Sequence, residues 1–523
     1  MNRLALNAMV GSVVVGCNAI FGITEGTLDD AGGGGATSNG GAGGSDAQGA
    51  GAAGGGGASE DGGAGGEGGT PVESVCDPGG LATGQAIADE CGVFVDVDAP
   101  DNGDGTKTSP FNAIGRTEPA VLEGKAIYVC GSPTFNGVFH WNAGIRLYGG
   151  LECGAWTFES SNLPTLAGTN NEFALSIEGQ GESSVSWFRI LGPQADGQVT
   201  PGFAHSSIGV VVSKGSVSLD HVRIETMPAQ KGPDGAPHID VATPGPGGQS
   251  ATQNCMAALA GGQLVCGSAN VSGGGGAPCN STANQPGQMG FGSSPGGGGS
   301  YGSSCIAAGE GSAGSAGGPG PQGIADGGML STHGYEPALA GGNGDQGAPG
   351  SGGGGGGARF GNTGGGGGAG GCGGLGGRGG FGGGASIAVV VVFQGNVSLT
   401  ASALFPGRGG DGGRGSDGQA GGMGGPRGSG LSPGFGCDGA MGGPGGRGGP
   451  GGGGGGGPTA FIARDPSSIV TVDAATLADS NPNSSGHGGD GGSMGLGNVG
   501  QTGLSCDELV LSGNPDEAEC IQH

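Results

Sequence analysis

SIGVVVSKGSVSLDHVRIE (Ser207–Glu225), SIAVVVVFQGNVSLTASALF (Ser386–Phe405) and FIARDPSSIVTVDAATL (Phe461–Leu477) carry one pattern three times, across very long interruptions. Val217, Leu219 and Ile224 align with Val397, Leu399 and Leu404, and then with Val470, Val472 and Leu477. Period-two apolar alternation puts each Val–Leu or Val–Val pair on one strand face. Strands stacked about 4.8 Å apart would join those faces into a continuous core. The copies therefore predict successive coils of a solenoid, with the intervening glycine-rich stretches as inserted loops.

Working outward, further short β-type runs precede the first copy: GVFVDV from Gly92, KAIYVC from Lys125, GIRLYGGL from Gly144, FALSIEG from Phe173 and VSWFRILG from Val185. They are separated without Asn-Gly-type two-residue turns, which argues for coils over hairpins. All three tryptophans (Trp141, Trp156, Trp187) fall in this region, so residues 71–226 are read as the core. Residues 385–405 and 458–478 add one coil each. Residues 227–384 and 406–457 are glycine-rich inserts, and 479–523 form a glycine-rich, cysteine-containing tail.

Of 523 residues, 144 are glycine and 30 proline, with only 33% apolar and 4% aromatic, so the chain holds one modest core and not several. Glycine keeps no every-third-residue register along the whole chain and proline is too sparse for collagen. The formal charge of −27 repels phosphate backbones and excludes nucleic acid as a natural partner. Local runs such as GGAGGCGGLGGRGGFGGG from Gly367 do have period three, which suits a polyglycine-II helix with bare faces open to neighbours. Ordering glycine carries a high entropy cost, and the register lapses elsewhere, so partial disorder is the slightly favoured expectation for the inserts.

The chain opens MNRLALNAMVGSVVVGC, with Arg3 before an apolar run too short to span a bilayer, which reads as an export signal over residues 1–16. Residues 17–70 are a glycine-rich acidic tether. Setting Cys17 aside, 12 of 13 cysteines remain, an even number suited to disulfides in an oxidising compartment, and no CxxC is present for a zinc or redox site. Cys130 ends one coil and Cys153 follows the next strand, which predicts a bridge between neighbouring coils. Cys76 with Cys91 and Cys506 with Cys520 are further local candidates.

Three resemblances follow from these residues. Val14-Val15-Gly16-Cys17 resembles the lipobox of bacterial lipoproteins; this implies lipidation of Cys17, and Asn18 implies sorting to the outer membrane, with the lipid anchor making the membrane a partner. The segment DNGDGTKTSPFNAIGRTEPAVLEGKAIYVCGSPTFNGVFHW (Asp101–Trp141) resembles the opening of pectin-lyase-like proteins through Gly105-Thr106, Pro110-Phe111 and Ile114, and GIRLYGGLECGAWTF continues the match. That resemblance implies an all-β, right-handed parallel β-helix. In composition the whole is similar to glycine-rich surface lipoproteins labelled PGRS family.

Leu219-Asp220-His221-Val222-Arg223-Ile224-Glu225 is the most enzyme-like string, since an outward carboxylate and guanidinium suit acid/base work or uronate binding. Asp220, His221 and Arg223 are thus catalytic candidates, set against ordinary solvent-facing residues. Their equivalents Thr400–Ala403 and Asp473–Thr476 build no charged cleft beside them. DVDAPDNGDG from Asp96 fits no calcium-loop spacing, the histidines have no zinc spacing, and no cofactor motif is present. The expectation is a non-catalytic, structural or adhesive surface lipoprotein contacting envelope, matrix or polysaccharide; the alternative is a polysaccharide lyase or glycoside hydrolase.

Overall fold

The computed structural model describes residues 76–523 apart from 81–84, 143, 170–172, 196–203, 253–256, 280–282, 326–327, 338–339, 432–434, 481–483, 493–497 and 513–516. Cys17, the export signal and the tether lie outside the described residues, as does Cys255. The fold is largely β, with several parallel sheets and few helices.

Sheet 1 runs, in spatial order, through Gly92–Val95, Ala126–Cys130, Arg146–Leu151, Glu182–Ser186, Ser216–Asp220, Asn396–Thr400 and Ile469–Val472, every pair parallel. Sheet 2 stacks Phe139–Trp141, Phe173–Glu178, Ser207–Ser213, Ser386–Val392, Thr459–Arg464 and Ser505–Val510 in parallel, and Glu519–Ile521 closes it antiparallel. Sheet 3 is Thr134–Asn136, Thr165–Ala167, Arg189–Leu191, Arg223–Glu225 and Ala403–Phe405, again parallel. From Ser207 the chain visits sheets 2, 1 and 3 and then re-enters sheet 2 at Ser386 as the neighbour of the strand it left 179 residues earlier.

The repeat sets this register. Val217 pairs with Val397 and Val397 with Val470; Leu219 pairs with Leu399 and Leu399 with Val472; Ile224 pairs with Leu404. These residues share one apolar cluster with Ile127, Leu147, Val185, Val210 and Val389. Sheet 2 is apolar on both faces. Its outer residues Ile208, Val211, Ile387 and Val390 form a second cluster with Tyr335, which an insert hairpin (Met329–Ser331 with Gly334–Glu336) supplies. Burial on both sides is why SIAVVVV reads as a continuous apolar run.

Three sequence expectations need correction. Leu477, aligned as an inward strand residue, lies in the helix Ala474–Asp479. Asp473 starts that helix by accepting the N–H of Thr476 (2.8 Å). The segment then covers the end of sheet 3 with side chains: Asp473, Thr476 and Ser480 accept the N–H groups of Ala401, Ser402 and Leu404 at 2.9, 3.0 and 3.0 Å. A sheet edge is thereby satisfied without another strand to template further pairing. The tail 479–523 is also more than a tail, since Ser505–Val510 and Glu519–Ile521 extend sheet 2.

The larger correction concerns the inserts. Where described, they are packed, not disordered. All eight N–H groups from Gly365 to Cys372 donate to backbone carbonyls of other segments: Gly365, Gly368 and Gly371 to Cys437, Ala440 and Gly443; Gly366, Ala369 and Cys372 to Gln249, Pro246 and Thr243; Gly367 and Gly370 to Gly274 and Val271. The three residues of each turn thus face three different neighbours, as a three-residue polyglycine-II helix in a bundle requires. Segment 410–428 runs antiparallel to 366–384 through seven bonds at three-residue steps, from Gly410→Gly384 to Gly428→Gly366.

Such closeness demands glycine. A Cβ built on Gly376 would fall 1.7 Å from the Gly344 oxygen. Each bond contributes only about 1 kcal/mol net, no more than the roughly 1–2 kcal/mol of backbone entropy that each ordered residue costs, so hydrogen bonding alone does not hold this slab of segments together. Cross-links then count. Cys266–Cys372 and Cys305–Cys437 span 106 and 132 residues and constrain the unfolded chain by about 4–5 kcal/mol each in the loop-entropy account.

Candidate functional site

The Leu219–Glu225 string crosses the bend from sheet 1 to sheet 3. Leu219, Val222 and Ile224 are buried, which leaves Asp220, His221, Arg223 and Glu225 towards the outside. The bend repeats after three neighbouring strands, because Ser186, Asp220 and Thr400 are paired in sheet 1. The next residues, Trp187, His221 and Ala401, all have left-handed backbone, with φ of 60°, 51° and 46°. The side chains of Trp187 and His221 are thereby thrown to one side of the bend. They stack with centroids 4.0 Å apart, and Phe158 meets Trp187 edge-on at 4.8 Å. His221 Nδ1 lies 3.0 Å from Asp220 Oδ1.

Beyond the bend, Arg189 and Arg223 occupy paired positions of neighbouring strands in sheet 3. Both hold Glu225. Arg189 binds it bidentately, Nε to Oε1 at 3.0 Å and Nη2 to Oε2 at 2.7 Å, and Arg223 Nε shares Oε1. The Arg223 guanidinium also lies over the Phe405 ring, 4.5 Å from its centroid. Burial pushes the Glu225 carboxyl up, but hydrogen bonds and charge from the two arginines outweigh it and hold the group below the usual glutamate range. A carboxylate so held keeps no proton to donate at neutral pH, and its oxygens are occupied, so it is ill suited to acid/base work.

Arg189 and Trp187 were not singled out from sequence, although a signal exists. Ser186-Trp187-Phe188-Arg189-Ile190 and Asp220-His221-Val222-Arg223-Ile224 match in pattern 34 residues apart. Aligning them places one arginine above the other.

Two clefts lie on the sheets among the described residues. One of about 280 Å³ lies on the outer face of sheet 1, lined by Arg146, Glu182, Ser184, Ser218, Asn396 and Ser398. Another, of about 420 Å³, opens beside the Phe139–Trp141 edge strand of sheet 2 between Ile114, Glu118, Val121, Phe139, His140 and Trp141.

The acidic loop from Asp96 makes turns: Asp96 accepts the Asp98 N–H at 3.0 Å, and Asp104 accepts from the N–H and hydroxyl of Thr106 at 3.1 and 2.8 Å. Asp96 also approaches the sulfurs of Cys130 and Cys153, but these are bonded to each other and offer no thiolate to a metal. Cys76 is joined to Cys91, and Cys506 to Cys520.

Comparison of the chain with protein-family models, with curated proteins and with solved structures finds no match.

Proposed function

We propose that the protein is a non-catalytic, cell-surface lipoprotein of structural or adhesive role, contacting envelope, matrix or polysaccharide. In this reading Cys17 carries the lipid that makes the outer membrane its anchor, residues 17–70 hold the body clear of that membrane, and the body is a right-handed parallel β-helix of PGRS-like, glycine-rich composition. The observation that carries the non-catalytic part is the state of Glu225. It is tied to Arg189 and Arg223, so the carboxylate and guanidinium groups of the one enzyme-like string serve each other, and the His221 ring is stacked on Trp187.

The second reading, a polysaccharide lyase or glycoside hydrolase, is favoured by the hydroxyl-lined cleft on sheet 1 with Arg146 and Glu182. The test is to incubate the Cys17→Ser chain with acidic and neutral polysaccharides, with and without calcium, and to read both retained protein and released oligosaccharide. Retention without products is expected. Products that disappear in Asp220→Ala or Arg223→Ala would overturn the reading in favour of the second.

A further inference from the structure

Two sheet edges in this fold are covered. Asp473, Thr476 and Ser480 meet the end of sheet 3, and Phe111 bridges in parallel to Val95 on the first strand of sheet 1. The first strand of sheet 2, Phe139–Trp141, has no such cover. It pairs with Phe173–Glu178 on one side, and no group among the described residues bonds its backbone on the other. An edge strand left in this state is a template for a further strand.

The cleft of about 420 Å³ lies beside that bare edge and is of a size that holds a ligand. Ile114 and Val121, both part of the core cluster, give it an apolar lining. Phe139 and Trp141 add their rings, with centroids 5.9 Å apart and planes 22° from parallel. His140 between them alternates to the other face, where its ring meets Phe173 edge-on at 5.0 Å.

Glu118 completes the lining and is exposed. Its carboxylate has no ion pair or hydrogen bond among the described residues, whereas Glu123 is held by Lys125 at 2.8 Å. The nearby cation Arg116 is engaged elsewhere, since it lies over the Phe111 ring and donates to the Asp101 and Gly103 carbonyls.

A bare edge accepts a strand through main-chain bonds, and the lining beside it selects alternate side chains of that strand. An unpaired carboxylate next to aromatic faces selects a cation. The charge of the chain, −27, draws a basic partner and repels a second copy. We propose that the cleft binds an extended basic peptide, added as a strand to Phe139–Trp141, with one apolar side chain against Ile114, Val121 and Trp141 and a lysine or arginine two residues away at Glu118. This site goes beyond the adhesive reading and does not depend on it, because binding by purified protein is measured wherever the protein resides.

The experiment is calorimetric titration of the full Cys17→Ser chain, at 0.15 M salt, with a capped threonine heptapeptide carrying one leucine and, two residues on, one lysine. Norleucine in place of the lysine is expected to weaken binding at least fivefold, and N-methylation of the peptide backbone at least tenfold. Glu118→Gln is expected to weaken the lysine peptide at least fivefold and to change the norleucine peptide less than twofold. Gly115 also lines the cleft, and a Cβ there would meet nothing within 4 Å. Gly115→Leu is therefore expected to fill the cleft and weaken binding at least tenfold without lowering the melting temperature. Glu310→Gln removes an equal charge from the glycine-rich slab and is expected to change binding less than twofold.

No binding by the parent chain, or undiminished binding by Gly115→Leu, would overturn the proposal. Equal binding of the N-methylated peptide, or equal competition by tetramethylammonium, would show a site for a small cation and no strand pairing. An equal loss in Glu310→Gln would reduce the effect to overall charge. Self-association that Gly115→Leu abolishes, with no peptide binding, would make this edge a contact between copies and count against the proposal too.

Discussion

Trp187 and His221 stack almost face to face, ring planes 15° from parallel, each held by a left-handed backbone where the chain bends from sheet 1 into sheet 3. Such a pair contributes about 0.5–1.5 kcal/mol beyond the area it buries. Ala401 takes the same backbone after the next strand of sheet 1, so the bend itself accepts alanine. His221→Ala is therefore expected to cost about 1 kcal/mol in urea unfolding and to shift the tryptophan emission. An unchanged midpoint and an unchanged spectrum would show that the stack contributes nothing.

The Arg189–Glu225–Arg223 cluster sets a pH dependence. The folded-state pKa of Glu225 lies below its ordinary value, so its contribution is fully present above the unfolded-state pKa and fades as the pH falls through the folded one. Stability of the parent chain is expected to decline below about pH 4.5 more steeply than that of Glu225→Gln, which lacks this titration. Parallel curves for the two proteins between pH 6 and pH 3 would contradict the assignment.

Glycine in the slab is required by contact, and the requirement differs from site to site. Gly376→Ala drives a methyl group into the Gly344 carbonyl, whereas nothing lies within 4 Å of a Cβ on Gly297. The first substitution is expected to destabilise the slab by about 3 kcal/mol or more, in the range of other backbone-incompatible changes, and the second by less than about 0.5 kcal/mol. Limited proteolysis with mass spectrometry of the released fragments measures the difference.

The two long-range disulfides act on that slab and not on the sheets. Cys266→Ser with Cys372→Ser is expected to raise amide exchange between residues 243 and 274 and between residues 365 and 384, while Val389 and Val391 in sheet 2 remain protected. Uniform loss of protection would mean that slab and sheets unfold as one unit.

The stacking of Val217, Val397 and Val470 could be read from the sequence because a two-residue period on three copies fixes both face and register. The helix at Ala474–Asp479 could not be read that way, since Leu477 keeps the apolar spacing of a strand, while the deciding groups are the polar Asp473, Thr476 and Ser480 that meet another strand's N–H groups. For the inserts, a three-residue glycine period says that a segment can pack but not against what. Gly366 bonds to Gln249 and Gly365 to Cys437, choices fixed by partners 117 and 72 residues away. The charged site was half legible. Arg223 stood out within one string, whereas Arg189 comes into view only when Ser186–Ile190 is aligned with Asp220–Ile224, 34 residues on.

The ordered packing of the glycine-rich inserts is the claim on which this account of the fold depends. Hydrogen–deuterium exchange of the full Cys17→Ser chain, followed from Gly365 to Gly384, tests it most directly. Eight consecutive donors from Gly365 to Cys372 are bonded in three directions, so exchange there is expected to be slowed at least a hundredfold relative to an unstructured peptide of the same sequence. Exchange at the peptide's rate, with the Val389–Val392 strand still protected, would contradict it and leave a β core carrying unstructured inserts.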